Sequence, residues 1–191
     1  DVRIGSRFLR AGPAYGGSCF PKDTKGLVSI AEKEKINLSI VKSVIKSNHN
    51  RKSLLLKRIG KIFSKKIKNK KIAFLGVTFK PNTDDMRDAV SLYMIPQLHK
   101  KKAIISYYDP TGVKKEFSKL RNCYYHSDIK SACKDADLII LHTEWDEFKS
   151  LDFTKFMKKK KFTLYDLRNL FSVDQMKKKK IKYFSIGRST T

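Results

Sequence analysis

The run Gly16-Gly17-Ser18-Cys19-Phe20-Pro21-Lys22-Asp23 sets a thiol after two glycines, with a cation three residues on and a carboxylate four residues on. Glycines let a backbone close on a neighbour without interference from a Cβ, and a nearby ammonium favours the thiolate, the form of cysteine that attacks carbon. A nucleophilic thiol beside a carboxylate suits covalent catalysis followed by hydrolysis, with Cys19 as nucleophile and Asp23 as the group that handles water. A lone cysteine is more often a small buried hydrophobe, but a core cysteine does not ordinarily stand in a Gly-Gly turn flanked by proline and charge.

The other cysteines offer less. Cys123 and His126 lie three apart in a predicted strand, which points their side chains to opposite faces, so no metal site is expected. Three cysteines leave an odd thiol and no disulfide framework, in keeping with a reducing compartment.

These groups need a scaffold. Leu27, Ile30 and Ala31 recur at helical spacing, and Asp23 or Thr24 is the expected cap of a helix ending near Ile36. A longer pattern from about Ser39 to about Lys66, apolar except for a polar middle at Asn48 to Lys52, predicts one long helix that links domains or packs on a partner. From Lys71 onward strand and helix signals alternate. Strands are predicted at 71–76, 103–108, 123–126, 137–142, 162–166 and 182–185, with helices at 89–101, 113–120, 129–134, 153–159 and 173–178. The expected fold is α/β, a helical segment followed by a doubly wound, mostly parallel sheet. Pro96 falls inside a predicted helix, where it removes a donor, so a kink or a shortened helix is expected.

The chain has 191 residues, 40% of them hydrophobic, enough for a sizeable core. No apolar stretch approaches the ~20 residues that span a bilayer, and no signal segment is evident, so a cytoplasmic protein without a membrane partner is expected. Asp1 is an unnatural start, and the chain is expected to be a fragment. The net charge is +25, from 43 Lys and Arg against 18 Asp and Glu. The lysines gather at 65–71, 100–102, 158–161 and 177–180, where predicted helices end and strands begin, and cations there complement the helix dipole. Most are lysine, whereas a bidentate reader of phosphates favours arginine, so no nucleic-acid partner is expected.

Arg3-Ile4-Gly5, the segment Phe8 to Pro13 and the Gly16 to Asp23 run together resemble the nucleotide-sugar dehydrogenases. Leu75 to Asp88, Thr143 to Phe148 and Asp166 to Asn169 resemble three further signatures of that family, in the right order. The resemblance implies a catalytic-cysteine and dimerisation segment over residues 1–68, a Rossmann-like UDP-binding domain over 69–191, and an NAD-binding domain that lies upstream. It implies that Cys19 is the nucleophile and Asp23 the carboxylate of thioester hydrolysis. By the same likeness Lys22 and Arg87 contact NAD, while Phe8, Leu9, Arg10, Ala11, Gly12, Gly16 and Lys80 line the nucleotide sugar. Arg3 reaches the sugar nucleotide of a neighbouring subunit, and the long helix forms a homodimer. The implied reaction oxidises UDP-glucose to UDP-glucuronate in two NAD-dependent steps, which this chain alone is not expected to perform. GDP-mannose and UDP-N-acetylhexosamines are the sibling substrates, and a basic nucleic-acid module is the reading from another class. Residue by residue, Asp109 reads as a turn former, Trp145 as core, and Arg168 as a cation near phosphate.

Overall fold

The computed structural model describes residues 5, 9–156 and 162–188. Two helices, α1 (Cys19–Lys33) and α2 (Ser39–Ile62), precede an alternating series: β1 (Lys71–Leu75), α3 (Ser91–Lys100), β2 (Ile104–Tyr108), β3 (Cys123–Tyr125), α4 (Ile129–Cys133) and β4 (Leu138–Leu141). It continues through α5 (Asp146–Lys149), α6 (Phe153–Phe156), β5 (Thr163–Asp166), α7 (Val173–Lys178) and β6 (Lys182–Ser185). The six strands form one sheet in the order β3-β2-β1-β4-β5-β6, every pair parallel. The chain winds outward from β1 to β3, then returns to β4 beside β1. That reversal opens a crevice at the carboxyl ends of β1 and β4, where such sheets bind ligands.

Because strand side chains alternate, the central strands supply two cores. Ile72 and Phe74 of β1 join Leu138 and Ile140 of β4 in one layer with Met94, Ile95 and Leu98 of α3. Ala73, Leu75, Ile139 and Leu141 face the other layer, with Cys133, Phe148, Phe153 and Met176 from four helices. The carboxyl half of α2 belongs to the first layer through Leu55 and Ile59, which lie one turn apart and are buried. Arg58 of the same helix donates to Ser185 O at 2.9 Å and sits over the Tyr165 and Phe184 rings, which ties α2 to the far strands.

Two expectations about elements are corrected. Helix α1 begins at Cys19, so neither Asp23 nor Thr24 caps it. Pro21 is tolerated in the first turn because its missing N–H has no helical acceptor there, and the Thr24 hydroxyl bonds back to Phe20 O at 2.8 Å. The helix predicted at 113–120 shrinks to a 3-10 turn at Lys115–Phe117, since Val113 is exposed and only Lys114 and Phe117 of that stretch are buried. Helix α3 contains Pro96 and is ten residues long, shorter than the predicted 89–101, as expected. The end of the helix predicted at 153–159 lies partly outside the described residues.

Among the described residues no helix is long and apolar enough to cross a membrane.

Candidate active site

Cys19 is the first residue of α1, exposed, at the end where the N–H groups of a helix lack helical partners. Lys22 and Asp23 follow one turn later and therefore lie on the same side of the helix as the thiol. Their charges are 3.6 Å apart, both well exposed, and Ser18 Oγ lies 3.6 Å from Cys19 Sγ. The other two thiols are different: burial pushes Cys123 and Cys133 up to about 12, which leaves them protonated at neutral pH. No cluster of three metal-ligating side chains occurs among the described residues.

The loop leading to Cys19 is clamped from two sides. On one side α2 supplies Asn48, whose amide accepts from Tyr15 N at 3.0 Å and donates to Tyr15 O at 3.1 Å, as a neighbouring strand would. Arg51 donates to Pro13 O at 2.6 Å and Gly12 O at 3.1 Å. The polar middle of the long helix is therefore the mount of the cysteine loop. Its sequence signal was the interruption of an apolar stripe, which says that something polar packs there but not what.

On the other side stands the loop after β1. Gly17, with φ +86°, donates its N–H to Arg87 O at 2.8 Å, and a Cβ on it would lie 2.8 Å from the Phe79 ring. A Cβ on Gly16 would lie 2.7 Å from Asp88 O. The two glycines thus permit close approach to the protein's own second motif. Lys52 reaches Asp88 at 3.8 Å across the same seam.

The 77–88 loop is held by buried polar groups. Asp109, fully buried, accepts from Val77 N at 2.8 Å and pairs with buried Lys114 at 3.5 Å, while Gly112 N closes a turn on Asp109 O. The acid at the end of β2 is thus occupied by the turn and the neighbouring loop. Arg87 forks onto Asp85, with Nη2 to Oδ2 at 2.8 Å and Nε to Oδ1 at 3.0 Å. That hydrogen bond holds the Asp85 carboxyl below its usual range and raises Arg87, whose guanidinium also feels the Cys19 sulfur. Lys80 is exposed, its ammonium 5.4 Å from the Phe79 ring centre.

Arg168 follows β5 and is the site residue that the sequence reading underrated. Its Nε donates to His142 O and its Nη2 to Phe79 O, each at 2.9 Å, and Glu144 lies 3.8 Å from Nη1. A Cβ on Gly12 would come within 2.9 Å of the same guanidinium. Arg168 joins Arg10, Ala11, Lys149, Asn169, Leu170 and Arg188 around a cleft of about 480 Å³, four of whose walls are cationic. A second cleft of about 550 Å³ runs between α1 and α2 behind Pro21 and includes none of the candidate catalytic side chains. Trp145 packs in the core.

Of the candidate residues, Cys19, Lys22 and Asp23 share the first turns of α1, and beside them Gly16 packs on Asp88 while Arg87 O accepts from Gly17 N. Ala11, Gly12 and Arg10 lie at the Arg168 cleft, with Lys80 on the intervening loop. Leu9 is 75% exposed, and Arg3 and Phe8 lie outside the described residues.

A doubly wound sheet with an exposed thiol and a cationic cleft at the carboxyl ends of its strands defines an α/β protein whose crevice suits an anionic ligand. Residues 73–173 match the UDP binding domain of the UDP-glucose/GDP-mannose dehydrogenase family, and residues 1–50 match that family's central domain. The chain belongs to this family. It is 40% identical over 189 residues to a UDP-glucose 6-dehydrogenase of Rhizobium meliloti (strain 1021), an alignment that takes in 98% of this chain and 43% of that protein. A UDP-glucose 6-dehydrogenase of Bacillus subtilis (strain 168) is 39% identical over 194 residues, 98% of this chain and 43% of the other. Among solved structures, a UDP-glucose dehydrogenase from the hyperthermophilic archaeon Pyrobaculum islandicum superposes with a TM-score of 0.80 at 25% identity, covering 99% of this chain and 41% of that one. The chain spans less than half the length of the relatives it matches.

Proposed function

We propose that this chain is the catalytic-cysteine and UDP-sugar-binding part of a cytoplasmic, NAD-dependent UDP-glucose 6-dehydrogenase. One observation carries the reading: a single loop, clamped between Asn48 and Arg51 on one side and Phe79 and Asp88 on the other, joins the cationic Arg10–Arg168 cleft to the exposed Cys19. The cleft suits a nucleoside diphosphate, whose negative charges Arg10, Lys149, Arg168 and Arg188 would balance. Lys80 and the backbone of residues 9–12 would hold the sugar nucleotide in the same place. The domain division is taken at residue 68, with the long helix α2 as the core of a homodimer. Ile40, Val44 and Leu54 on α2 and Leu27 and Ile30 on α1 leave apolar surface for such a partner.

The residues present fit NAD. Lys22 and Arg87 are exposed cations at the thiol, each steadied by one carboxylate, and match an anionic dinucleotide. Bound NAD supplies the hydride acceptor for both oxidations. Cys19 Sγ adds to the aldehyde carbon at C6 left by the first oxidation and gives a thiohemiacetal, which keeps a reactive intermediate tethered. Its oxidation leaves a thioester on Cys19. Asp23, on the same helical face, orients and deprotonates a water that attacks the thioester carbon, so the carbon–sulfur bond breaks, the carboxylate forms and the thiol is restored.

The test is to assay the full-length protein with UDP-glucose, GDP-mannose and a UDP-N-acetylhexosamine while counting NADH. Two NADH per UDP-glucose, with UDP-glucose the best substrate, is expected. Higher turnover on GDP-mannose would move the protein to a sibling activity, and one NADH per sugar would contradict the thioester route.

A further inference from the structure

The lysine runs that the sequence scatters are gathered by the fold. All strands are parallel, so the segments that enter them lie at one edge of the sheet, opposite the edge that carries Arg87 and Arg168. Backbone contacts stitch these segments together: Asn69 N donates to Lys102 O at 2.8 Å, Ile104 N to Lys70 O at 2.9 Å, and Asp137 N to Lys71 O at 2.8 Å. At the far end Lys182 stands in register with Thr163. Segments 65–71, 100–102 and 177–182 bring five, three and five lysines, all exposed except half-buried Lys70. Lys71 pairs with Asp135 at 3.8 Å and Lys179 with Asp152 at 2.9 Å, the two ion pairs that these runs make among the described residues. Six strands about 4.8 Å apart make the edge about 24 Å wide.

A second observation concerns the backbone. Lys65, Lys102 and Lys180 have φ of 65°, 61° and 56°, each just after a helix end, where glycine or asparagine is the usual occupant because a Cβ is disfavoured. All three runs therefore carry lysine even at the position least suited to it, as Lys35 (φ 58°) does after α1 away from this edge. The 158–161 run lies outside the described residues.

We propose that this edge adsorbs to the surface of an anionic lipid bilayer. The charge is spread over a width rather than along a groove, which matches a two-dimensional array of headgroups. It consists of lysines, which act as point charges and need no bidentate geometry. None of the exposed large hydrophobic residues belongs to the three segments, so their contact is electrostatic without insertion, and these three segments carry no aromatic residue on which a single-stranded nucleic acid would stack. The candidate site at the opposite edge stays open to solvent. The 65–71 and 100–102 runs adjoin across β1 and β2, and the 177–182 run lies three strands away on the same edge; an anionic surface would bridge them, contrary to the expectation of no membrane partner.

The test is co-sedimentation of the full-length protein with vesicles of phosphatidylglycerol and phosphatidylcholine in equal parts, compared with phosphatidylcholine alone, at physiological salt. Binding to the anionic vesicles only is expected. The triple variant Lys66→Gln, Lys100→Gln, Lys178→Gln removes one charge from each run and is expected to weaken binding on the order of a hundredfold, about fivefold per lysine. A control triple variant at exposed lysines elsewhere, Lys33→Gln, Lys57→Gln, Lys115→Gln, has the same net charge and is expected to bind within about threefold of the parent. No binding to anionic vesicles, an equal loss in the control, or tighter binding to an RNA duplex than to the vesicles would overturn the proposal.

Discussion

Replacing Asn48 with alanine removes both hydrogen bonds by which α2 holds Tyr15, four residues before the thiol. Each bond between neutral, partly buried groups contributes about 0.5–1.5 kcal/mol, so the clamped position of the loop loses about 1–3 kcal/mol. At 1.4 kcal/mol per decade that is about a 5- to 150-fold fall in the clamped fraction relative to the free one. If catalysis requires the clamped loop, kcat/KM of the full-length protein for UDP-glucose falls by up to that factor, the full fall being reached when the unclamped loop dominates. The melting temperature should move little, because Leu55 and Ile59 still anchor the helix in the core. Asn48→Asp retains the acceptor for Tyr15 N but sets a carboxylate against Tyr15 O, so it should not rescue. The assay is steady-state kinetics beside the rate of Cys19 alkylation, which should change in the same variant. Unaltered kinetics and alkylation in Asn48→Ala would show that the amide pair does not position the nucleophile, and the reasoning would fail.

Other outcomes follow from the same geometry. Ile59→Ala, in the layer between α2 and the sheet, is expected to cost about 2–5 kcal/mol by denaturant unfolding, as for other fully buried aliphatic truncations. Arg168→Lys keeps a charge but loses the fork onto His142 O and Phe79 O; it should raise KM for the nucleotide sugar at least about tenfold, and an unchanged KM would remove Arg168 from the cleft's function. His142 is fully buried, its Nε2 accepting from Ser91 N at 3.0 Å, and burial, with the nearby Arg168 charge, lowers it to about 3. The unfolded imidazole takes a proton below its ordinary value near 6.5 while the folded one resists until about 3, so stability is lost as pH falls through that interval. His142→Gln should flatten this decline, measured as unfolding free energy against pH, and a decline identical to that of the parent would refute the assignment.

The sheet was legible because its strands are short apolar runs bounded by lysine and turn signals. All six predicted strands overlap observed ones, and 182–185 agrees at both ends. Helices without a buried face were read poorly. The 113–120 segment has enough apolar residues for a helical pattern, but Lys114 turns inward to Asp109 and Val113 faces solvent. In α1 the pattern of Leu27 and Ile30 is real, yet both are more than half exposed in this chain, so the periodicity does not mark a core here. The motif around Cys19 could be read from its residue types and spacing, but its shared helical face could not, because the cap expected at Asp23 or Thr24 left Cys19 and Lys22 outside the helix that begins at Cys19. Asn48, Arg51 and Arg168 could not be placed that way. Their partners lie 26 to 89 residues away, and only the fold brings them together.

The most direct measurement is mass spectrometry of the full-length protein, acid-quenched during turnover of UDP-glucose with NAD, using Asp23→Asn to slow the release of the acyl group. The account predicts a glucuronyl adduct on the peptide containing Cys19 and none on Cys123 or Cys133, with Cys19→Ser giving no acid product. Formation of UDP-glucuronate at the parent's rate by Cys19→Ser, with no adduct at any time in Asp23→Asn, would contradict it.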